Sequence, residues 1–284
     1  MRSKLFVPGA RPELFAKALA GEADALSFDL EDSVSEDRKV AAREAVAAFV
    51  VSDEVARAAK VIIVRTNATD SPHFPRDISA IARPGVALIN LPKIESPQDL
   101  LAAIAVIERA EHTNGVADPI GLLVNIETPR ALADAARIAA AHPRIAGLQL
   151  GLGDLFEPHG IDRADVSNVH AAMFALRMAA AQAGVFAMDG AFAALDDDDG
   201  YIAEAHMAHR LGFVGKSCIH PRQVPLANAA FAISDDELAA ARRIVETAHS
   251  SVSRPGAFVV DGRMIDLPFL KRAQALLAAA RRPT

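Results

Sequence analysis

The stretch GLLVNIETPRALADAARIAAAHPRIAGLQLGLGDL (121–155) contains one complete repeat of the architecture. GLLVNI is a short apolar run of strand character, and Glu127 follows it directly. Thr128-Pro129 then puts a capping side chain before a proline, the mark of a helix start. The alanine-rich segment beyond carries a 3.6-residue period, and IAGLQL is the next strand-like run. Asp154 comes just after it, beside Gly151 and Gly153. Strand, helix and strand in this order predict a βαβ unit that sets two carboxylates beyond the ends of consecutive strands.

The same alternation extends in both directions. Eight runs have strand character: KLFV (4–7), ALSFDL (25–30), VIIVR (61–65), ALINL (87–91), GLLVNI (121–126), IAGLQL (145–150), VFAM (185–188) and FVGKSCI (213–219). Ser96-Pro97 with Asp99, and Ser35 with Glu36 and Asp37, sign two more helix starts. Eight strands alternating with helices predict an α/β fold, a (β/α)8 TIM barrel, with a doubly wound open sheet as the alternative. The chain reads as a single barrel domain over 1–284. The barrel spans about 1–250, and a short C-terminal helical extension, about 251–284, is expected to pack on a neighbouring subunit. The apolar face of Leu267–Ala280 motivates that expectation.

Composition narrows the function classes. The 284 residues are 51% hydrophobic, enough for a sizeable core, and a net charge of −6 provides no basic field for nucleic acid. A lone cysteine excludes an intrachain disulfide framework. MRSKLFVPG enters a strand too soon to be a signal peptide, and no apolar stretch is long enough to span a bilayer. A soluble, cytoplasmic protein is expected.

In a barrel, strand C-termini converge on one mouth. Read in order they deliver Pro8-Gly9, Asp29-Glu31-Asp32, Arg65-Asn67, Lys93, Glu127, Asp154, Asp189 and Lys216–His220. Glu127 and Asp154, from adjacent strands, suit Mg2+, which takes few carboxylates and keeps several waters. A rim acid paired with an arginine is the bland alternative. Arg65 offers a planar fork matched to a carboxylate, or a structural ion pair with an acid of the DLED segment. Asp29 and Glu31 fall on one side of their strand, to bind water on a metal or to position Arg65. Asp32 serves the same site or caps the following helix.

Other signals point to structure. Gly151-x-Gly153 lacks the third glycine of a dinucleotide fingerprint, so its glycines are expected to let backbone approach the pocket. His206 and His209 have no third ligand, Asp196–Asp199 reads as a solvated turn or helix start, and Cys218 as core.

Taken together, these segments resemble the citrate lyase β-subunit family of the HpcH/HpaI aldolase superfamily. The resemblance rests on RSKLFVPG (2–9), DLEDSV (29–34) with Lys39 and Arg43, VRTN (64–67), LPKIE (91–95) and NIET (125–128). It continues through GLGDL (151–155), GFVGKSCIHPRQV (212–224) and DGRMIDLP (261–268), nearly end to end and in order. It implies a barrel using Mg2+, with Mn2+ as a substitute, to cleave or form a carbon–carbon bond. The substrate would be a 3-hydroxyacyl-CoA thioester such as citryl-, malyl- or citramalyl-CoA, and the products an acyl-CoA and a 2-oxo acid such as oxaloacetate. By the same resemblance Glu127 and Asp154 ligate the metal, Arg65 grips the oxo-acid carboxylate, and Glu127 and Asp29 contribute to substrate binding. Asp266 takes part in catalysis from a neighbouring subunit of a homotrimer or hexamer. Two alternatives keep this metal site: a thioester hydrolase or a CoA-independent 2-oxo-acid aldolase. A third is a subunit acting only within a citrate lyase complex with an acyl-carrier partner. The chain is short for the malyl-CoA lyase branch and carries an unusually acidic DGAFAALDDDDG segment (189–200). Arg11 and Lys17 are the nearest candidates to meet CoA phosphates.

Overall fold

In a computed structural model, which describes residues 1–250 and 256–280, the eight expected runs all become strands. These are β1 (Ser3–Pro8), β2 (Ala25–Asp29), β3 (Val61–Arg65), β4 (Leu88–Leu91), β5 (Gly121–Ile126), β6 (Ile145–Leu150), β7 (Phe186–Met188) and β8 (Lys216–Cys218). They pair in parallel in the order β7-β6-β5-β4-β3-β2-β1-β8, and a parallel bridge between Asp189 and Lys216 joins the two ends. The sheet is therefore a closed (β/α)8 barrel, and the open-sheet alternative falls. β8 starts later than FVGKSCI suggested. Gly215 passes so close to the N-terminal backbone that a Cβ there would lie 2.5 Å from the Arg2 carbonyl oxygen.

Strand alternation divides the side chains between two environments. Leu26 and Phe28 of β2, Ile62 and Val64 of β3, and Leu122 and Val124 of β5 face the helices and form the main core. Ala25, Ile63, Leu88 and Leu123 form a small apolar plug inside the barrel. Above the plug the interior becomes polar: Lys4, Ser27, Asn90, Asn125 and Gln149 are all buried. Two of the expected caps hold, since Ser96 accepts from the Asp99 N–H and Thr128 from the Ala131 N–H, whereas Ser35 precedes a 3-10 turn and its hydroxyl donates to Asp37 instead.

The β7–β8 seam has few ladder bonds, and a buried ion cluster supplements it. The Lys216 Nζ lies 2.7 Å from Asp189 and 2.6 Å from Glu204, and Glu204 accepts two hydrogen bonds from Arg163. Burial alone would depress the Lys216 amine, but the two carboxylates outweigh it and hold the group protonated.

The chain divides into two compact units, Met1–Phe231 and a second beginning at Ala232. The helix Asp235–Ser250 thus groups with the C-terminal unit, whereas sequence placed it at the end of the barrel. That unit also holds an antiparallel hairpin, β9 (Phe258–Val260) with β10 (Arg263–Ile265), and the helix Leu267–Ala280. The hairpin was not anticipated, although Asp261-Gly262, both at positive φ, is the usual sequence of a tight two-residue turn. Residues 251–255 and 281–284 of the expected extension lie outside the described residues. No helix among the described residues is long and apolar enough to cross a membrane.

Truncating Lys216 to alanine would leave Asp189 and Glu204 facing each other in a dry seam. We expect Lys216→Ala to cost about 3–5 kcal/mol, read from urea unfolding. A loss under about 1 kcal/mol, the size of an exposed pair, would show that the cluster does not hold the seam.

Candidate active site

The C-terminal ends of the barrel strands surround a cavity of about 470 Å³. Phe6, Asp29, Asp32, Arg65, Asn125, Glu127, Gln149 and Asp154 all line it. Four sequence-predicted site residues, Asp29, Arg65, Glu127 and Asp154, are therefore brought together. Asp266 belongs to the second unit, just before the helix Leu267–Ala280, and its Oδ1 finds no hydrogen-bond partner among the described residues.

Glu127 sits one residue beyond β5 and is only 3% exposed. Its Oε1 accepts from the backbone N–H of Lys93 at 2.6 Å, and its Oε2 from Asn125 Nδ2 at 3.1 Å. Lys93 adopts a left-handed conformation (φ 53°), uncommon for a residue with a side chain. Burial pushes the Glu127 carboxyl up, the Lys93 N–H opposes this, and Asp154 adds repulsion. Asp154 is not at the strand end itself: β6 stops at Leu150, and Asp154 lies in the short helix Leu152–Phe156. That turn brings an exposed carboxylate to the cavity beside the buried one.

Gly151 makes this proximity feasible. A Cβ at position 151 would lie 2.6 Å from the Glu127 Cβ and 2.8 Å from its Oε2. Of the two glycines expected to admit close approach, Gly151 does so and admits Glu127, whereas a Cβ at Gly153 would meet nothing within 4 Å.

Arg65 ends β3 and faces the acids of the DLED segment. Asp29 accepts from Nε at 2.7 Å and from Nη2 at 2.8 Å, and Asp32 accepts from Nη1 at 3.3 Å. The structural ion pair is therefore present, and both Asp29 and Glu31 pair with Arg65. Nη1 also lies 2.9 Å from Glu31, so of the five guanidinium N–H bonds only the second on Nη2 faces no acid. Burial raises the Asp29 carboxyl, but Arg65 outweighs it and holds the group below its ordinary range. Asp32 caps no helix; it pairs instead with Arg65 and Lys93. Lys39 donates to the carbonyls of Leu30 and Glu31 and pins the acidic loop, while Arg43 reaches Asp77, which holds Asn67. The weaker signals are structural. Asp197 caps the helix Asp198–Leu211, Arg222 pairs with Asp196 and Asp198, His209 packs on Phe231, and Cys218 is buried against Tyr201.

Among the described residues, no three His, Cys, Asp or Glu side chains gather as a metal cluster. Two carboxylates on one roomy cavity are instead a donor set for a hard cation that retains water. The repulsion between Glu127 and Asp154 is what such a cation would relieve.

Residues 2–221 match the HpcH/HpaI aldolase/citrate lyase family model. The chain belongs to that family. It is 36% identical to citrate lyase subunit beta of Escherichia coli, over 98% of this chain and 93% of the relative. It is 33% identical to L-malyl-CoA/beta-methylmalyl-CoA lyase of Cereibacter sphaeroides, over 98% and 94%. Its fold matches protein CitE of Mycobacterium tuberculosis, solved with magnesium, acetoacetate and coenzyme A. That match has a TM-score of 0.77 and 33% identity, and covers 99% of this chain and 100% of the other.

Within this family member, sequence reasoning passed over the polar barrel interior. Lys4, Asn90, Asn125 and Gln149 interrupt otherwise apolar strands at inward-facing positions, and that interruption was the available signal. The backbone N–H of Lys93 had no signal in its residue type.

Glu31 generates a pH-dependent expectation. It lies 2.9 Å from Arg65 and 3.1 Å from Lys93, yet burial pushes its carboxyl up to about 7 from 4.5, against the pull of Arg65. Between those values the folded chain holds a proton that the unfolded chain has released, so stability falls as pH rises through that window. Glu31→Gln removes this contribution. Urea unfolding should therefore show a smaller loss for the variant than for the parent from about pH 5 to about pH 7. An equal loss would mean that Glu31 ionises normally.

Proposed function

We propose that the chain is a Mg2+-dependent carbon–carbon lyase. It would cleave, or in reverse form, a 3-hydroxyacyl-CoA thioester of the citryl-, malyl- or citramalyl-CoA type, giving an acyl-CoA and a 2-oxo acid. The observation that carries this reading is the meeting of Glu127, Asp154 and Arg65 on one cavity at the barrel mouth, in a chain of this family.

Glu127 and Asp154 would hold Mg2+, with Mn2+ as a substitute. When bound, the ion supplies Lewis acidity toward the oxygens that become the 2-oxo acid. Arg65 holds the acid's carboxylate with its uncommitted Nη2 N–H and fixes its orientation, while Asp29 keeps the guanidinium in place. Asp266 exchanges a proton with the thioester carbon as it gains or loses enolate character. We propose that it acts from a neighbouring subunit of a homotrimer or hexamer. Exposed Arg11, just past β1, and Lys17 are candidates for the CoA phosphates.

Calorimetric titration with Mg2+ tests the metal assignment. Glu127→Gln and Asp154→Asn should each weaken binding by about tenfold or more, the loss of roughly one charged ligand interaction. Unaltered affinity in either variant removes that residue from the set. Mixing inactive Asp266→Ala protomers with inactive Glu127→Ala protomers tests the shared site, since some mouths would regain both groups. If mixed oligomers form and no activity returns, Asp266 does not act across subunits.

A further inference from the structure

Lys4 is fully buried inside the barrel and, among the described residues, forms no ion pair. An amine in that setting is expensive unless its hydrogen bonds are taken. Its Nζ lies over the Phe6 ring, 4.0 Å from the centroid, and donates to Gln149 Oε1 and to Asn90 Oδ1, the latter at 3.4 Å. The side chain carries at least two N–H bonds in either protonation state, so both donations stand whichever form is present.

A donor at this point sets the direction of every amide it touches. Asn90, accepting through Oδ1, donates from Nδ2 to Asn125 Oδ1 at 2.7 Å. Asn125 in turn donates to Glu127 Oε2. On the other branch Gln149 accepts through Oε1, which turns its Nε2 the other way. Gln149 is 4% exposed and lines the cavity, and its Nε2 makes no hydrogen bond among the described residues. β6 pairs Gln149 with Asn125, two residues before Glu127, so this spare donor belongs to the same cavity as the buried acid.

We propose that Gln149 Nε2 binds an oxygen of the oxo acid, and that Lys4 is the positioning residue that keeps Gln149 in its donating orientation. The inference rests on the function proposed above. It assigns Gln149 to an acceptor oxygen, a carboxylate or carbonyl, and away from a hydroxyl that must itself donate.

The test is calorimetric binding of oxaloacetate at saturating Mg2+, with melting temperature as a separate readout. Gln149→Leu should weaken oxaloacetate by about tenfold or more while retaining Mg2+ affinity. Gln149→Glu should weaken it at least as much, because its outward oxygen repels the ligand. It should nevertheless melt at or above Gln149→Leu, because its other oxygen still accepts from Lys4. Lys4→Met should weaken oxaloacetate, and Lys4→Met combined with Gln149→Leu should be no worse than the worse single variant, since one acts through the other. Parent-like binding by Gln149→Glu overturns the role of Gln149. Melting of Gln149→Glu below Gln149→Leu, or additive losses in the double variant, overturns the role of Lys4. Failure of the parent itself to bind oxaloacetate overturns the function and this inference together, whereas parent binding with unaffected variants overturns the inference alone.

Discussion

A nearly buried carboxylate is the constraint on which the barrel mouth is built. Glu127 has lost most of its water, and a charge in that position survives only with directed donors or a cation. Each surrounding feature answers that need. Lys93 bends into a left-handed conformation and donates its N–H, Asn125 donates from the strand, and Gly151 leaves out the side chain that would strike the carboxyl. Asp154 adds repulsion instead of relief. A site that gathers negative charge at a buried acid is poised for a positive ligand.

The acidic loop after β2 works in the opposite sense. Asp29, Glu31 and Asp32 surround Arg65, and Lys93 lies against two of them. The outcome is a guanidinium fixed in direction by Asp29 and still carrying a spare donor on Nη2. An arginine held this way has little side-chain freedom left to lose when a ligand arrives, which favours orientation over reach. Lys39 and Arg43, far along the next segment, hold the loop and the exit of β3.

Closure of the barrel rests on a different device. β7 and β8 are short, and the Lys216 cluster joins them from the helix side, where Tyr201 and Cys218 complete the packing. The C-terminal unit has its own organisation, with a hairpin turned at Asp261-Gly262 and Arg243 paired to Asp261.

Much of this molecule was legible in its sequence. Strand and helix periods, capped helix starts and the apolar runs determined the eight-fold alternation, because those signals are local and repeat every turn or every second residue. The same runs located Arg65, Glu127 and Asp154, because a charge just past a buried strand has few other places to go. Tertiary structure alone decided the rest. It showed that Arg65 is already paired with three acids, that Asp154 arrives on a helical turn, and that the second unit begins before Asp235. It also connected Lys4 to Glu127 through two asparagines on two other strands. Those facts depend on which strands become neighbours and on which atom of an amide faces which partner. Residue type fixes a capacity to donate or accept; only the closed barrel gives it direction.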